Sequence, residues 1–294
     1  SNLRWAYLEV TGSCNLRCPY CYNRDSEMLL GSEISVDLFR KAILRLQSVG
    51  IEQVTLSGGE PTLHSRLADL ISIASTAGLS VHLCSNGRAM EMKEMSVLAE
   101  AGLTQVQVNV DHMDPERHDK WRGKEGSHSS ALATLGKWRQ LGVATVGMTV
   151  VHKGNITDLV EISDWLRSLS LIDRYRVMEL MPNGSTRGWD CSHSQYIEAV
   201  TELVMHHASQ GNVESVVSYD PELNLPINNG FHVSCPIRSG LAMNIKPNGD
   251  VVYCACCQPG QSVGYNLFAV ESIAAAQSRL SASMPPPCIE LQKD

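Results

Sequence analysis

The sequence predicts an α/β fold, in which a partial (β/α)6 barrel with a parallel sheet is followed by a small C-terminal extension containing a β-hairpin. From residue 5 to about 185, short apolar runs typical of buried parallel strands alternate with longer amphipathic stretches of helical spacing. Repeated β-α units imply a parallel sheet with helices outside it. A closed eight-unit barrel takes about 250 residues, so six units predict an open, partial barrel.

The strands and helices of this barrel follow in chain order, with Gly78, Gly102 and Gly142 as turn signals between them. The predicted strands are 6–10, 53–56, 80–84, 105–110, 145–151 and 175–180. The predicted helices between them are 36–49, 67–77, 91–101, 130–141 and 157–169.

After Gly184 the pattern changes, and we predict a division into a barrel core over 1–190, a helix and connecting loop over 191–234, and an extension over 235–294. The helix is predicted at 196–209, and the polar stretch 211–233 is predicted to be a surface loop. Strands at 242–246 and 251–253 flank the run Pro-Asn-Gly-Asp at 247–250, which is a strong hairpin signal.

Composition limits the classes of partner. The chain has 294 residues and a net charge of −7, which argues against nucleic acid as the main partner because phosphate binding favours a basic surface. No apolar run reaches the roughly 18 residues that a membrane span needs. A hydrophobic content of 43% is enough for a sizeable core. We expect a cytoplasmic protein that binds neither nucleic acid nor membrane.

The cysteine count is the most informative part of the composition. There are ten cysteines, clustered near both ends of the chain. A secreted disulfide framework is one interpretation, but it is typical of small domains that lack a core. Tight clusters in a chain of this size favour metal–thiolate sites in a reducing cytoplasm.

The first cluster consists of Cys14, Cys18 and Cys21, directly after the first predicted strand. They are therefore predicted to lie on a loop at the carboxyl end of the sheet, where parallel α/β folds place their chemistry. Three thiolates can bind three irons of a [4Fe–4S] cluster and leave the fourth iron open, whereas a ferredoxin cluster uses four cysteines and only transfers electrons. A zinc site with a fourth ligand such as His64 is the alternative.

This C-x3-C-x2-C spacing, with Tyr20 before the last cysteine, resembles the signature of the radical S-adenosylmethionine (SAM) superfamily. The run Ser-Gly-Gly-Glu-Pro-Thr at 57–62 resembles the family's loop that receives the methionine amino group of SAM. The turn at 85–87 resembles a SAM-contacting turn, and the stretch 118–123 also resembles relatives. The resemblance covers roughly 4–185. The cofactor-binding residues it implies are Tyr20, Gly58, Gly59, Glu60, Pro61, Thr62, Ser85, Asn86, Asn109, Asp111 and Val151.

The resemblance also implies a reaction. Cys14, Cys18 and Cys21 would hold the SAM-cleaving [4Fe–4S] cluster, which receives an electron from a donor such as flavodoxin or ferredoxin. Reductive cleavage of SAM would give a 5′-deoxyadenosyl radical that abstracts hydrogen from an unactivated C–H group. The glycine-rich loop after the second strand disfavours the zinc alternative.

A second set of cysteines occupies the extension. The spacing of Cys235, Gly249 and Cys254, together with the runs at 263–267 and 271–273, resembles the start of the SPASM or twitch extensions, which hold auxiliary [4Fe–4S] clusters. The chain has fewer cysteines than a full SPASM domain, so we expect one auxiliary cluster. Zinc is an alternative occupant, and at least one thiol is expected to be spare. The expected ligands are Cys235, Cys254, Cys257 and Cys288, with Cys256 as the alternate to Cys257.

The substrate stays open between two classes. One is a ribosomally made peptide or natural-product precursor, to be cross-linked, oxidised or epimerised; the other is a small metabolite such as an aminocyclitol, sugar or nucleotide. A non-catalytic iron–sulfur carrier or sensor is a third interpretation, which the loop at 58–62 argues against. Candidate substrate contacts are Asp111, His112, His152, Arg176, Glu179, Arg187 and Trp189.

Overall fold

The computed structural model describes residues 3–21, 32–180, 186, 188–211, 216–218, 242–252 and 263–276. It confirms the predicted α/β class. Strands β1 to β6 are Trp5–Thr11, Gln53–Gly58, Ser80–Ser85, Leu103–Asn109, Ala144–Val151 and Arg174–Glu179. Helices α1 to α7 are Val36–Gln47, Leu67–Thr76, Met92–Glu100, Pro115–Arg122, Ser127–Gln140, Leu159–Ser168 and His193–Ser209. Four shorter strands, β7 to β10, are Val216–Ser218, Ala242–Ile245, Asp250–Val252 and Val263–Asn266.

The ten strands of the described chain form one sheet in the order β10-β9-β8-β1-β2-β3-β4-β5-β6-β7. Strands β1 to β6 lie side by side in chain order and are parallel. Their carboxyl ends therefore meet at one edge of the sheet, and the loops that follow β1, β2, β3 and β4 are neighbours there.

The register separates two faces of the sheet. Leu8, Leu56 and Leu83 are register partners on one face, and all three are buried in the main hydrophobic core. Helix α1 covers this face with Phe39 and other apolar residues that belong to the same core. The opposite face carries polar side chains in the neighbouring register row, which comprises Tyr7, Thr55, His82 and Gln105. One face of the sheet is thus apolar and covered by helix α1, and the opposite face carries polar side chains.

The predicted hairpin is present, because β8 and β9 pair antiparallel around Gly249, whose φ is +88°. The hairpin also makes a contact that the sequence did not predict. Strand β8 pairs parallel with β1, placing Asn244 opposite Tyr7, so the hairpin extends the barrel sheet. An ion pair at 2.5 Å between Lys246 Nζ and Glu9 Oε1 joins the hairpin to β1.

Two local predictions need correction. The stretch 211–233, predicted as a loop, contains β7, whose two valines suit a strand and whose backbone pairs with β6. The pattern also missed α4, because its sequence is mostly polar and lacks an amphipathic period. Capping signals do mark it: Asp114 accepts a hydrogen bond from the Arg117 amide at 2.8 Å, and Gly123 ends the helix with φ of +71°.

In the part of the chain that the structure describes, none of the helices is both long and apolar enough to cross a membrane.

Candidate active site

The three cysteines lie where the sequence places them, on the loop that follows β1. Cys14 is exposed, Cys21 is half-buried and Cys18 is buried. Two backbone hydrogen bonds shape this cysteine loop, defined as residues 12–21: the Gly12 amide donates to Ser32 O at 2.8 Å, and the Cys21 amide donates to Cys18 O at 3.2 Å. Burial raises the pKa of the Cys18 thiol.

The donor set of this loop fits a [4Fe–4S] cluster, because three thiols are the ligands of three irons of such a cluster and leave the fourth iron without a protein ligand. His64 is also a poor zinc ligand, because one ring nitrogen contacts Ile34 O at 3.0 Å and the other accepts from the Arg66 amide at 3.0 Å.

The loop after β2 packs directly on the cysteine loop. The Gly59 amide donates to Thr11 O and the Glu60 amide donates to Ser13 O, both at 2.7 Å. A Cβ at Gly58 would lie 2.2 Å from Thr11 O, and one at Gly59 would lie 2.2 Å from Ser13 O. Both glycines are therefore required by close backbone contact, and Gly58 also has a φ of +132°.

Glu60 is the centre of a buried network. Its Oε1 accepts from the Thr62 amide at 3.1 Å, the Thr62 hydroxyl at 2.7 Å and the Ser85 hydroxyl at 2.9 Å. Its Oε2 accepts from the Asn86 amide at 2.6 Å. Burial raises the pKa of Glu60, and these four donors oppose that rise by stabilising the ionised form. The carboxylate joins the loops after β2 and β3, while its predicted role as a SAM contact stays a prediction.

Asn86 extends this network to the cysteine loop. Its side-chain nitrogen donates to Asn15 Oδ1 at 2.7 Å and lies 3.8 Å from Cys14 Sγ. The Leu16 amide donates to the same sulfur at 3.5 Å. The loops after β1, β2 and β3 are thus connected by hydrogen bonds. Pro61 and Thr62, in the 3-10 helix Pro61–Leu63, are buried behind them.

Asp111 is a second buried carboxylate. Its Oδ2 accepts from the Tyr20 hydroxyl at 2.9 Å, and its Oδ1 accepts from the Val150 amide at 2.9 Å. Arg122 Nη1 lies 3.5 Å from Oδ2 and also donates to the Tyr20 hydroxyl. Burial raises the pKa of Asp111 to about 7. Tyr20, and with it the cysteine loop, is thereby tied to the segment after β4.

Two further predicted cofactor contacts lie on neighbouring strands. Asn109 is half-buried at the end of β4, at the same edge of the sheet as the cysteine loop. Val151 ends β5, and its side chain belongs to the main hydrophobic core, so that any cofactor contact falls to its backbone. That backbone carbonyl accepts from the Leu180 amide at 3.1 Å. A role in cofactor binding stays a prediction for both residues.

A stack of rings extends from Tyr20 away from the cysteine loop. The ring of Trp121 stacks on Tyr20 with centroids 5.0 Å apart and on His152 with centroids 3.7 Å apart. Trp189, which is exposed, lies 5.5 Å from Trp121. Burial lowers the pKa of His152 to about 4, so its ring is neutral at pH 7. Sequence reasoning named Tyr20, His152 and Trp189 separately but missed Trp121.

The remaining substrate-contact candidates are more dispersed. His112 is buried and pairs with Asp158, which precedes α6, at 2.9 Å. Arg176 lies on the polar face of the sheet and donates to Gln107 Oε1 at 2.5 Å. Glu179 is half-buried at the end of β6. Arg187 lies outside the described residues, as do the five cysteines proposed for the second site: Cys235, Cys254, Cys256, Cys257 and Cys288.

The sequence matches a known protein family over more than half of the chain. The model of the radical SAM superfamily matches residues 8–166. PqqA peptide cyclase of Bradyrhizobium diazoefficiens is 33% identical over 156 residues, which are 53% of this chain and 41% of the cyclase. AdoMet-dependent heme synthase of Methanosarcina barkeri is 28% identical over 176 residues, which are 60% of this chain and 50% of the synthase. The matched part thus spans half or less of these relatives.

A solved structure extends the similarity in fold beyond the matched family segment. The chain resembles Streptococcus suis SuiB bound to S-adenosylmethionine with a TM-score of 0.74 and 13% identity, covering 99% of this chain and 68% of SuiB. A structure of SuiB bound to its precursor peptide SuiA matches with a TM-score of 0.74 and 15% identity, covering 99% of this chain and 67% of SuiB. At such low identity the similarity concerns the fold, and it confirms the predicted fold class.

Proposed function

Since this chain belongs to the radical SAM superfamily, we propose that it reductively cleaves S-adenosylmethionine and directs the resulting 5′-deoxyadenosyl radical to a C–H group of a ribosomally made peptide. The observation that carries the proposal is the contact between the two motif loops. The backbone of Gly58, Gly59 and Glu60 packs on the backbone of Thr11 and Ser13, so a glycine-rich ligand loop borders a three-thiol loop.

Some residues of the site would bind the [4Fe–4S] cluster, and others hold the surrounding loops in place. Cys14, Cys18 and Cys21 would hold a [4Fe–4S] cluster with one open iron, which when bound supplies the electron for cleavage of SAM. Glu60 fixes the loop after β2 by accepting four hydrogen bonds. Tyr20 and Asp111 tie the cysteine loop to the segment after β4.

Two of the similar proteins favour a peptide substrate. One matched relative is a peptide cyclase, and SuiB has been solved with its precursor peptide. The reaction would then be a cross-link, oxidation or epimerisation of a side chain or backbone position. The similarity to a heme synthase favours the second candidate, in which the substrate is a small metabolite. A carrier or sensor without catalysis is disfavoured, because it has no use for the loop at 58–62.

We also propose a second [4Fe–4S] cluster in the extension, with Cys235, Cys254, Cys257 and Cys288 as ligands and Cys256 as the alternate. The described hairpin supports it, because β8 follows Cys235 in the chain and β9 precedes Cys254 by two residues. A flavodoxin or ferredoxin is the proposed electron donor.

The central test is formation of 5′-deoxyadenosine. The protein is reconstituted anaerobically with iron and sulfide, then given SAM and dithionite, and the product is measured by liquid chromatography. We expect product from the wild type and from Cys191→Ala, which removes a half-buried cysteine that belongs to neither proposed cluster. A wild type that binds iron but forms no 5′-deoxyadenosine contradicts the proposed function.

Iron counting tests the second cluster. The triple variant Cys14→Ala/Cys18→Ala/Cys21→Ala should retain about four irons per chain, against about eight in the wild type. If the triple variant retains no iron, the proposal of a second cluster is wrong.

The substrate class is tested separately by adding a short peptide encoded beside this gene and looking for a change in its mass. An unchanged peptide, together with conversion of a small metabolite, would favour the second candidate.

A further inference from the structure

Helices α6 and α7 pack against each other through polar side chains that the proposed function does not use. Ser163 Oγ lies 2.9 Å from His207 Nε2, and neither residue has exposed surface. Beside them, Asp164 Oδ2 lies 2.8 Å from His206 Nε2. Helix α6 runs from the carboxyl end of β5 to the amino end of β6, so its last turn lies at the sheet edge opposite the cysteine loop. This polar contact between the helices is therefore separate from the candidate active site.

Arg167 adds two donors to this contact. It follows Ser163 by one helical turn, so the two side chains lie on the same side of α6. In the part of the chain that the structure describes, Arg167 Nε and Nη2 are buried and have no hydrogen-bond acceptor. These two N–H groups lie on one edge of the guanidinium and point in parallel. That arrangement matches two oxygens of a carboxylate or phosphate group.

His207 presents a further donor near Arg167. Burial and, to a smaller extent, the charge of Arg167 lower the pKa of His207 to about 4, so the ring is neutral at pH 7. With the Ser163 hydroxyl donating to Nε2, the single ring proton lies on Nδ1. This Nδ1 is buried and has no partner among the described residues. Because buried polar groups normally have partners, the unpaired atoms of Arg167 and His207 point to a missing acceptor.

The groups around Arg167 do not supply that acceptor. Burial lowers the pKa of Arg167, and the nearby charge of Asp164 opposes this. The Asp164 carboxylate nevertheless pairs with His206, and neither Nε nor Nη2 of Arg167 donates to it. A cation in the last turn of a helix also favours the negative end of that helix, but these two N–H groups bond to none of the carbonyls that the structure describes there. A buried cation in this position is stabilised by an anion.

We propose that Arg167 and His207 form a binding site for a small oxyanion, in which the parallel N–H groups of Arg167 and the Nδ1–H of His207 hold a carboxylate or phosphate group between α6 and α7. The donors belong to two helices, so a bound oxyanion would join α6 to α7 beside the contact of Ser163 with His207. The site does not depend on the cysteine loop or on SAM, because it lies at the opposite edge of the sheet.

The test is isothermal titration calorimetry of the reconstituted full chain with inorganic phosphate and, separately, with acetate. Sodium chloride keeps the ionic strength constant, so that screening of charges does not change during the titration. Arg167→Met removes the charge and both donors, whereas Arg167→Lys keeps the charge but lacks the parallel pair. The matched control is Arg66→Met, which removes the same charge from an exposed position beside α2.

We expect phosphate, acetate or both to bind at one site per wild-type chain. The dissociation constant should rise about tenfold in Arg167→Lys and further in Arg167→Met. His207→Phe loses one donor and should bind about threefold more weakly, while Arg66→Met should bind like the wild type. Equal binding by the wild type and Arg167→Met would show an adventitious ion only and would overturn the proposal.

The titration also separates an external oxyanion from a carboxylate of the chain itself. Glu214 follows the end of α7 in the sequence and lies outside the described residues. If the wild type binds neither anion but Glu214→Gln does, the chain's own carboxylate occupies the site and the proposal is wrong. If neither protein binds an anion, the donors hold only water and the proposal is also wrong. If Arg167→Met does not fold, Arg167→Lys decides: weaker binding supports the proposal, and binding equal to that of the wild type overturns it.

Discussion

The two loops that carry the sequence motifs are held in opposite ways. In the cysteine loop Cys14 is exposed and Cys21 is half-buried, and their thiols take little part in the bonds that shape the loop. In the loop after β2, Glu60 is fully buried, Pro61 and Thr62 are buried, and the carboxylate accepts four hydrogen bonds. The loop with the reactive groups is loosely bonded within itself, and its neighbour is rigid.

The difference has a physical reason. A thiolate that binds iron must be accessible to the metal, so the cysteine side chains cannot be buried and bonded as fully as the Glu60 carboxylate is, and Cys14 Sγ accepts only the long contacts from the Leu16 amide and the Asn86 side chain. The cysteine loop is instead held from outside, by the Glu60 amide, which donates to Ser13 O, by Ser32 O, which accepts from the Gly12 amide, and by the hydrogen bond from the Tyr20 hydroxyl to Asp111. A precise site of this kind depends on the residues that support it. The comparison predicts that changes in one loop affect chemistry, whereas changes in the other affect stability.

The largest predicted effect is on chemistry alone. Cys14→Ala removes a thiol that is exposed and makes only weak contacts. We expect 5′-deoxyadenosine formation to fall to the level of a protein-free control, because the proposed cluster would lose one of its three ligands. The free energy of unfolding of the iron-free protein should change by less than about 0.5 kcal/mol. A large loss of stability in this variant would mean that the cysteine loop is not held from outside.

The second prediction concerns the contact between the loops. In Gly59→Ala the new methyl group would lie 2.2 Å from Ser13 O, and backbone on both sides must move. We expect the free energy of unfolding to fall by about 3 kcal/mol, as measured by urea denaturation of the iron-free protein. Gly136→Ala is the control, because this glycine lies within α5 and its Cβ would meet only Leu171 at 3.6 Å. The control should be neutral or slightly stabilising.

The third prediction concerns the carboxylate itself. In Glu60→Gln the amide nitrogen replaces one of two accepting oxygens, so at least one buried backbone donor, the Thr62 amide or the Asn86 amide, loses its acceptor whichever way the amide turns. We expect a loss of about 2 kcal/mol in the free energy of unfolding. The same substitution at exposed Glu52, which pairs with Arg4 at 2.8 Å, should cost less than about 0.5 kcal/mol. Equal losses in the two variants would contradict the buried network.

The sequence predicted those parts of the molecule whose signals are local. Apolar runs marked β1 to β6, and the motifs placed the cysteine and glycine loops at the carboxyl ends of their strands. Helix α4 was missed because its residues are mostly polar, and it is held by its caps and by packing against the cysteine loop. The pairing of β8 with β1 joins residues more than two hundred positions apart, for which no local pattern exists.

At the site, too, contacts between distant parts of the chain could not be predicted from the sequence. The resemblance gave Glu60 and Asn86 as residues of the cofactor site, but it did not show that Glu60 binds the Asn86 amide across 26 positions of the chain. It also gave no role to Trp121 or Arg122, whose importance follows from packing against Tyr20. Sequence reasoning therefore predicts the groups that would carry the chemistry, and the structure adds the groups that hold these residues in place.

The smallest predicted effect concerns Asn86, which follows β3 and contacts both loops. Its backbone amide is part of the Glu60 network, while its side chain reaches Asn15 and Cys14. Because Asn86→Ala keeps the amide, we expect the free energy of unfolding to fall by less than about 1 kcal/mol. The cysteine loop loses a tether, so a chelator should remove iron about tenfold faster, as expected when a group supporting a metal ligand is lost. Asn248→Ala, in the exposed hairpin turn, should leave this rate unchanged. A variant as unstable as Glu60→Gln with a normal rate of iron loss would show that the Asn86 side chain supports the Glu60 network and not the cysteine loop.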